Sequence, residues 1–468
     1  MFKKSAIVLA MVASAAAMST NVMAADNVGP EFAAEANAFF EESTVSGAIA
    51  LWMRDRTRGD VDANGNDTAQ KPNLDHGSLY LTVNFNSGYI ADTVGVDLNV
   101  YTTFDMWQNA SPDHEMNFWG VDNPYDRNPT AESGCSGAWE SDCNQNGGQI
   151  QTGAVKLKFA DTVNAKLGYF QPSVPTAMGV NWSFAAGTYT GGEIGANFGD
   201  LKLGVVVADE YRAPWFKDSY SFRTGTGSSA EDAGTAYSIG GQYAFSDALT
   251  LDLAYAGLSD GDRKNAHAKL KYTSSNGWYL SPQVYVVDDD NQYDSTAYQL
   301  AFISAKSVGQ YSFRGEATYT AADSTETRGH VGNMAYRLTE VYGGSNGAYD
   351  IWWNNRSDFN HDGQAAFFGS VARDFSDLGA PGFSAGVNAV YAFGAKSDQA
   401  NIDELVEYSG SIFLNYAFQT GTLKGAQMGM YYTNYVNDSN AANWDPYSNA
   451  FQDETDLKVT LVVPFTIK

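Results

Sequence analysis

Cysteine and positive charge are both scarce here: 2 Cys, and 28 Lys and Arg against 54 Asp and Glu, in 468 residues. A chain so poor in cations cannot neutralise a phosphate backbone, which excludes nucleic acid as a partner. Long apolar runs are missing as well, since nothing after residue 24 approaches the roughly 18 consecutive apolar residues of a spanning helix. Histidine is sparse and scattered (His76, His114, His267, His330, His361), and neither a G-x-S-x-G elbow nor an H-E-x-x-H helix is present. An enzyme built from residues distant in sequence is therefore the least favoured class.

The opening residues, "MFKKSAIVLAMVASAAAMSTNVMA", set Lys3 and Lys4 before an apolar run and close with Val22 and Ala24, the pattern of an export signal. Residues 1–24 are accordingly left out of the fold. Without those two lysines 26 basic residues face 54 acidic ones, a formal net charge of −28. An exported chain without a spanning helix is either soluble or a membrane β-barrel. In residues 25–43, Phe32, Ala36, Phe39 and Phe40 recur at helical intervals, which predicts either a short periplasmic helix or a frayed terminus.

What is abundant favours the barrel. Aromatic residues reach 14 %, with 46 Gly and 28 Tyr, yet the mean hydropathy is only −0.32. Polar lumen residues cancel an apolar belt in barrels, and aromatics ring both interfaces. In "LYLTVNFN", Leu79, Leu81, Val83 and Phe85 alternate with Tyr80, Thr82, Asn84 and Asn86, a period of two with one apolar face. The same alternation recurs in "AVKLKF", "LTLDLAYA" and "DLKVTLVVPF". About 18 such runs are counted, joined alternately by short turns and by long segments rich in Asn, Asp, Gly and Ser. Residues 44–468 are thus predicted to form one all-β antiparallel transmembrane barrel, with short periplasmic turns and long external loops. The chain ends on Lys468, where many outer-membrane barrels end on an aromatic residue.

Several residues invite a chemical reading. Cys135 and Cys143, in one external loop of an exported chain, are expected to form a disulfide. Two segments resemble half of a calcium loop: Asp60, Asp62 and Asn64 before Gly65, and Asp358, Asn360 and Asp362 before Gly363. Both lack the bidentate Glu at the twelfth position, so structural calcium competes with ordinary Asx turns. Lys156, Lys158, Lys166, Lys269, Lys271 and Arg314 fall on the lumen register. They either pair with lumen acids such as Asp97, Asp105, Asp252 and Glu316 or form a charged wall felt by a permeant solute. The acidic stretch from Val286 to Asp294 is expected to meet divalent cations that bridge it to lipopolysaccharide.

At "NWSFAAGTYTGGEIGANFG" (181–199), "DEYRAPWFKD" (209–218), "YDIWWNNRSDFN" (349–360) and "NAFQDETDLKVTLVVPFTI" (449–467), the chain resembles the OprD family of outer-membrane porins, and most of all its enterobacterial chitoporin branch. The resemblance implies a monomeric eighteen-stranded barrel whose external loops fold into the lumen. It also implies passive entry of chitooligosaccharides, or of other small solutes such as amino acids and carboxylates. Trp182, Phe184, Tyr189, Trp215, Trp352 and Trp353 are then candidate aromatic platforms for pyranose faces, and Glu193, Arg212, Arg356 and Asp358 candidate polar contacts. Interfacial anchoring competes with a pore role for the tryptophans.

Overall fold

Alternation of period two, sustained from Thr44 to Thr466, leaves each strand with one apolar and one polar face, and only a closed sheet buries both backbone edges. The computed structural model describes residues 39–59, 69–109, 125, 146–180, 185–214, 216, 218–225, 230–324, 332–341, 343–351, 353, 355, 358–395, 404–438 and 453–468. Eighteen long strands are found among them. In chain order they are β1 (Thr44–Arg58), β2 (Lys71–Asn86), β3 (Val94–Gln108), β4 (Gly147–Phe159), β5 (Val163–Phe170), β6 (Thr188–Phe198), β7 (Leu201–Arg212), β8 (Ala236–Ser246) and β9 (Leu249–Leu258). There follow β10 (Lys264–Thr273), β11 (Tyr279–Asp288), β12 (Ala297–Val308), β13 (Tyr311–Ala321), β14 (Ala365–Asp374), β15 (Phe383–Ala395), β16 (Leu405–Ala417), β17 (Gln427–Asn437) and β18 (Glu454–Thr466).

Each strand is antiparallel to its neighbours in the chain, and β18 returns to β1 with Ser46 opposite Thr466 and Arg58 opposite Glu454. The seam extends to the last residue, because the Val45 N–H donates to the Lys468 carbonyl at 2.8 Å. The Lys468 ammonium also reaches the Phe40 carbonyl at 2.5 Å. Of the N-terminal segment, Phe39–Glu41 form a helical turn, and Phe39 packs near Phe85.

Lipid and lumen faces follow the sequence register. On β8, Ile239 is 59 % exposed while its neighbour Ser238 is 2 %. Aromatic side chains gather in two rings on the outward face. Toward the long loops these include the pairs Tyr237–Tyr255 and Tyr391–Tyr408, and toward the short turns Tyr243–Phe245 and Tyr416–Phe418. Such girdles sit at the headgroup levels of a bilayer. The buried apolar cluster, by contrast, lies inside the barrel, where Met178, Tyr189, Tyr285, Tyr336, Trp353 and Phe359 pack loops against the inner wall.

Candidate functional site

The third external loop, residues 171–187, turns inward because the strands below leave room for its backbone. Gly204 and Gly240 are paired across β7 and β8, and a Cβ on either would collide with the Pro175 carbonyl. Ser173 donates to Glu193 through its N–H at 2.8 Å and through its hydroxyl, and the Ala177 N–H donates to the Ser238 hydroxyl at 2.9 Å. Farther on, Ala185 packs with Ala50, Tyr80 and Tyr101. The loop therefore leaves the β6–β8 wall and reaches the wall of β1–β3.

The seventh external loop, residues 322–364, is fixed along the opposite arc. Arg263 donates to the carbonyls of Arg337 at 2.6 Å and Ala335 at 2.8 Å, and pairs with Asp289 at 2.8 Å. Lys269 reaches the Ala348 carbonyl and the Asp350 carboxylate, both at 2.7 Å. The Asp350 N–H in turn donates to the Tyr285 hydroxyl at 3.0 Å. Trp353 Nε1–H donates to buried Glu316 at 2.8 Å, and its ring stacks on Phe368 at 5.4 Å and 4°. Burial holds the phenols of Tyr336 and Tyr349 well above their ordinary pKa, so both stay protonated. Tyr349 donates its proton to Gln299.

The two loops meet. Met178 and Gly347 form an isolated antiparallel bridge, the Gly179 N–H donates to Asn346 at 3.0 Å, and the Ala348 N–H donates to Ala177 at 3.0 Å. The Tyr189 hydroxyl lies 2.7 Å from the Gly179 carbonyl and 2.9 Å from that of Asn346. The lumen is thus narrowed by two loops clamped to each other and to the wall, a constriction whose shape is set by buried hydrogen bonds.

The structure places the sequence-derived candidates unevenly. Tyr189 has no exposed surface and Glu193 almost none; both hold the loops from behind rather than meeting the open lumen. Arg212 is buried with its guanidinium 3.5 Å from the Thr188 hydroxyl, and Asp358 is exposed. Trp353 lies inside the barrel and not in a girdle, with one face covered by Phe368. Trp182, Phe184, Trp215, Trp352, Arg356, Asp60, Asp62, Asn64, Cys135 and Cys143 lie outside the described residues, as does the export signal. Asn360 donates to the Met334 carbonyl at 2.6 Å and Asp362 accepts the Ala322 N–H at 2.6 Å, so both serve the loop's own turn. Among the described residues no three His, Cys, Asp or Glu side chains gather as a metal site.

All six lumen cations have acidic partners. Lys156 meets Asp97 at 3.0 Å, Lys158 meets Asp92 at 2.7 Å, and Lys166 lies 3.9 Å from both Asp97 and Glu193. Lys269 meets Asp350 at 2.7 Å, Lys271 meets Asp252 at 3.3 Å, and Arg314 pairs with Glu316. Sequence reasoning missed a second set on the lumen register of β1. Arg54 grips Asp456 with two hydrogen bonds at 2.9 and 2.6 Å, and Arg58 meets Glu454 at 2.8 Å, with Arg56 between them. The signal was available in "MRDRTR", where arginines recur every second residue of a strand. Within the acidic stretch Val286–Asp294, Asp289 turns inward to Arg263 at 2.8 Å, while Asp290 and Asp294 are exposed.

A closed eighteen-stranded barrel with an outward apolar belt, a polar lumen and two loops folded inside it is a porin of the bacterial outer membrane. The sequence pattern of the outer membrane porin, OprD family, matches residues 37–465, and the chain belongs to that family. It is 34 % identical over 464 residues to the chitoporin of Escherichia coli (strain K12), a match spanning 93 % of this chain and 94 % of that protein. The fold is similar to that of Pseudomonas aeruginosa OccK3 (OpdO), with a TM-score of 0.68 at 15 % identity over 94 % of this chain and 100 % of that one. Acinetobacter baumannii OccAB1 is similar to the same degree, with a TM-score of 0.68 at 15 % identity over 92 % of this chain and 98 % of the other.

Proposed function

We infer that this porin admits chitooligosaccharides, passively and down their gradient, through a pore formed by a single chain without covalent chemistry. The observation that carries the reading is the 34 % identity to a chitoporin across nearly the whole chain. The chemistry of the lumen agrees with it. Every lumen cation on β4, β5, β10 and β13 singled out above is matched by an acid, so the wall offers hydrogen-bond donors and acceptors with little net charge. A neutral sugar edge suits such a wall, and each contact is weak enough to release. Trp182, Phe184, Trp215 and Trp352 are proposed as stacking platforms, with Arg356 and Asp358 as polar contacts, while Tyr189, Glu193, Arg212 and Trp353 position the loops that present them.

A second reading, passage of small carboxylates, is favoured by the arginines Arg54, Arg56 and Arg58 on one wall. Their pairing with Asp456 and Glu454 weakens the attraction they would exert on an anion. Swelling of liposomes containing the refolded protein separates the two. Faster swelling in N-acetylglucosamine dimers and trimers than in glucose oligomers of equal length supports the sugar reading. Equal rates for both sugars, with faster entry of a small carboxylate, would replace it.

A further inference from the structure

At the periplasmic end of the lumen, well below the two loops, lies a recess of about 500 Å³, within the range of small-molecule sites. Its floor is low because successive lumen positions carry little bulk: Ala305 and Ser307 on β12, Ser312 on β13, Ser370 and Ala372 on β14. The strand register brings these together, with Arg314 between Ala305 and Ser370, and Ser312 between Ser307 and Ala372. Arg314 stands in the middle of the recess, with Tyr279 on β11 to one side and Phe413 on β16 closing the other, three strands away, about 14 Å at the usual strand spacing. The Phe413 ring is backed by Tyr431 at 5.4 Å and 22° and leans over Gly386, where a Cβ would strike it.

We propose that this recess is a second sugar subsite, which receives an acetamido pyranose as it leaves the constriction, with the 9 % of Phe413 left exposed as its apolar edge and Arg314 as its donor. The assignment rests on the sugar reading above. Arg314 is the most exposed of the six lumen cations, its side chain 44 % accessible against 31 % or less for the lysines. Its Nε donates to Glu316, which leaves both Nη groups without a protein partner among the described residues. Because the pair is neutral overall, those N–H groups address an acetamido carbonyl or a ring hydroxyl without the charge that would retain an anion. Serines 312 and 370 add hydroxyls on the floor. Glu316 also accepts from Trp353, so a single buried carboxylate joins the recess to the seventh loop.

The test is single-channel recording in channels of known orientation, with chitohexaose added from the periplasmic or the external side, for wild type, Arg314→Gln, Phe413→Leu and Trp353→Phe. The subsite predicts that Arg314→Gln and Phe413→Leu shorten blocks from the periplasmic side at least threefold more than blocks from the external side. Trp353→Phe, which cuts the Glu316 hydrogen bond without touching the recess, should not reproduce that asymmetry. Wild type blocked from both sides but unchanged by either recess variant would overturn the subsite alone, as would equal losses from both sides or the same asymmetry in Trp353→Phe. No block of wild type from either side would overturn the sugar reading and the subsite with it.

Discussion

At the scale of single residues, the lumen is governed by paired charges. Lys269 is nearly buried and its partner Asp350 is about one-third exposed, so removing the lysine strands a half-solvated carboxylate at the seventh loop. Lys269→Met should loosen that loop and shorten sugar blocks roughly tenfold, the equivalent of about 1.4 kcal/mol, with more flicker in the open-channel current. Blocks of unchanged duration would show that the loop is held by its other contacts. The pair Arg54–Asp456 is buried on both sides, and breaking such a pair costs about 3–5 kcal/mol because one charge is left uncompensated. Arg54→Gln should therefore lower the urea midpoint of the refolded barrel, while the double variant with Asp456→Asn recovers most of the loss; equal midpoints for both would contradict the pairing. These partners were half legible. The lysines, with Asp97 and Asp252, occupy lumen positions that period two assigns from sequence, but Asp92 lies in a turn and Asp350 in the seventh loop, and the pairing of Arg54 with Asp456 joins the first strand to the last and needs barrel closure to be seen.

At the scale of elements, strands were legible and loops were not. Alternation alone identifies Leu79, Val155, Leu253 and Leu457 as outward residues, because one face must meet lipid and the other water. The course of the third loop depends on Gly204 and Gly240, which mean nothing separately in the sequence and become a slot only when β7 and β8 pair in this register. Gly240→Val should push Pro175 and its loop off the wall, so the pore conductance changes by a large fraction while strand content, read by circular dichroism, stays the same. Unaltered conductance would mean that the loop does not rest on that slot. Tyr189 shows the same limit from the other side. Its aromatic character suggested a sugar platform, yet its hydroxyl bridges Gly179 and Asn346, contacts that no local pattern announces.

For the molecule as a whole, the excess of acid over base leaves a formal charge of −26 on the full sequence, and Asp290 and Asp294 in the external loop after β11 are among the exposed acids. Charge of that sign at the external face repels lipopolysaccharide phosphates unless divalent cations intervene. A chelator should lower the thermal midpoint of the barrel in lipopolysaccharide-containing bilayers and leave it unchanged in detergent, where Asn360 and Asp362 are already satisfied by their own loop. A drop in detergent would point instead to calcium held within the chain. The central claim, a sugar-selective pore, is tested most directly by single-channel current with chitohexaose and then maltohexaose on one side. Discrete blocks by chitohexaose alone are the predicted result; a steady current undisturbed by either sugar, or equal blocking by both, would contradict it.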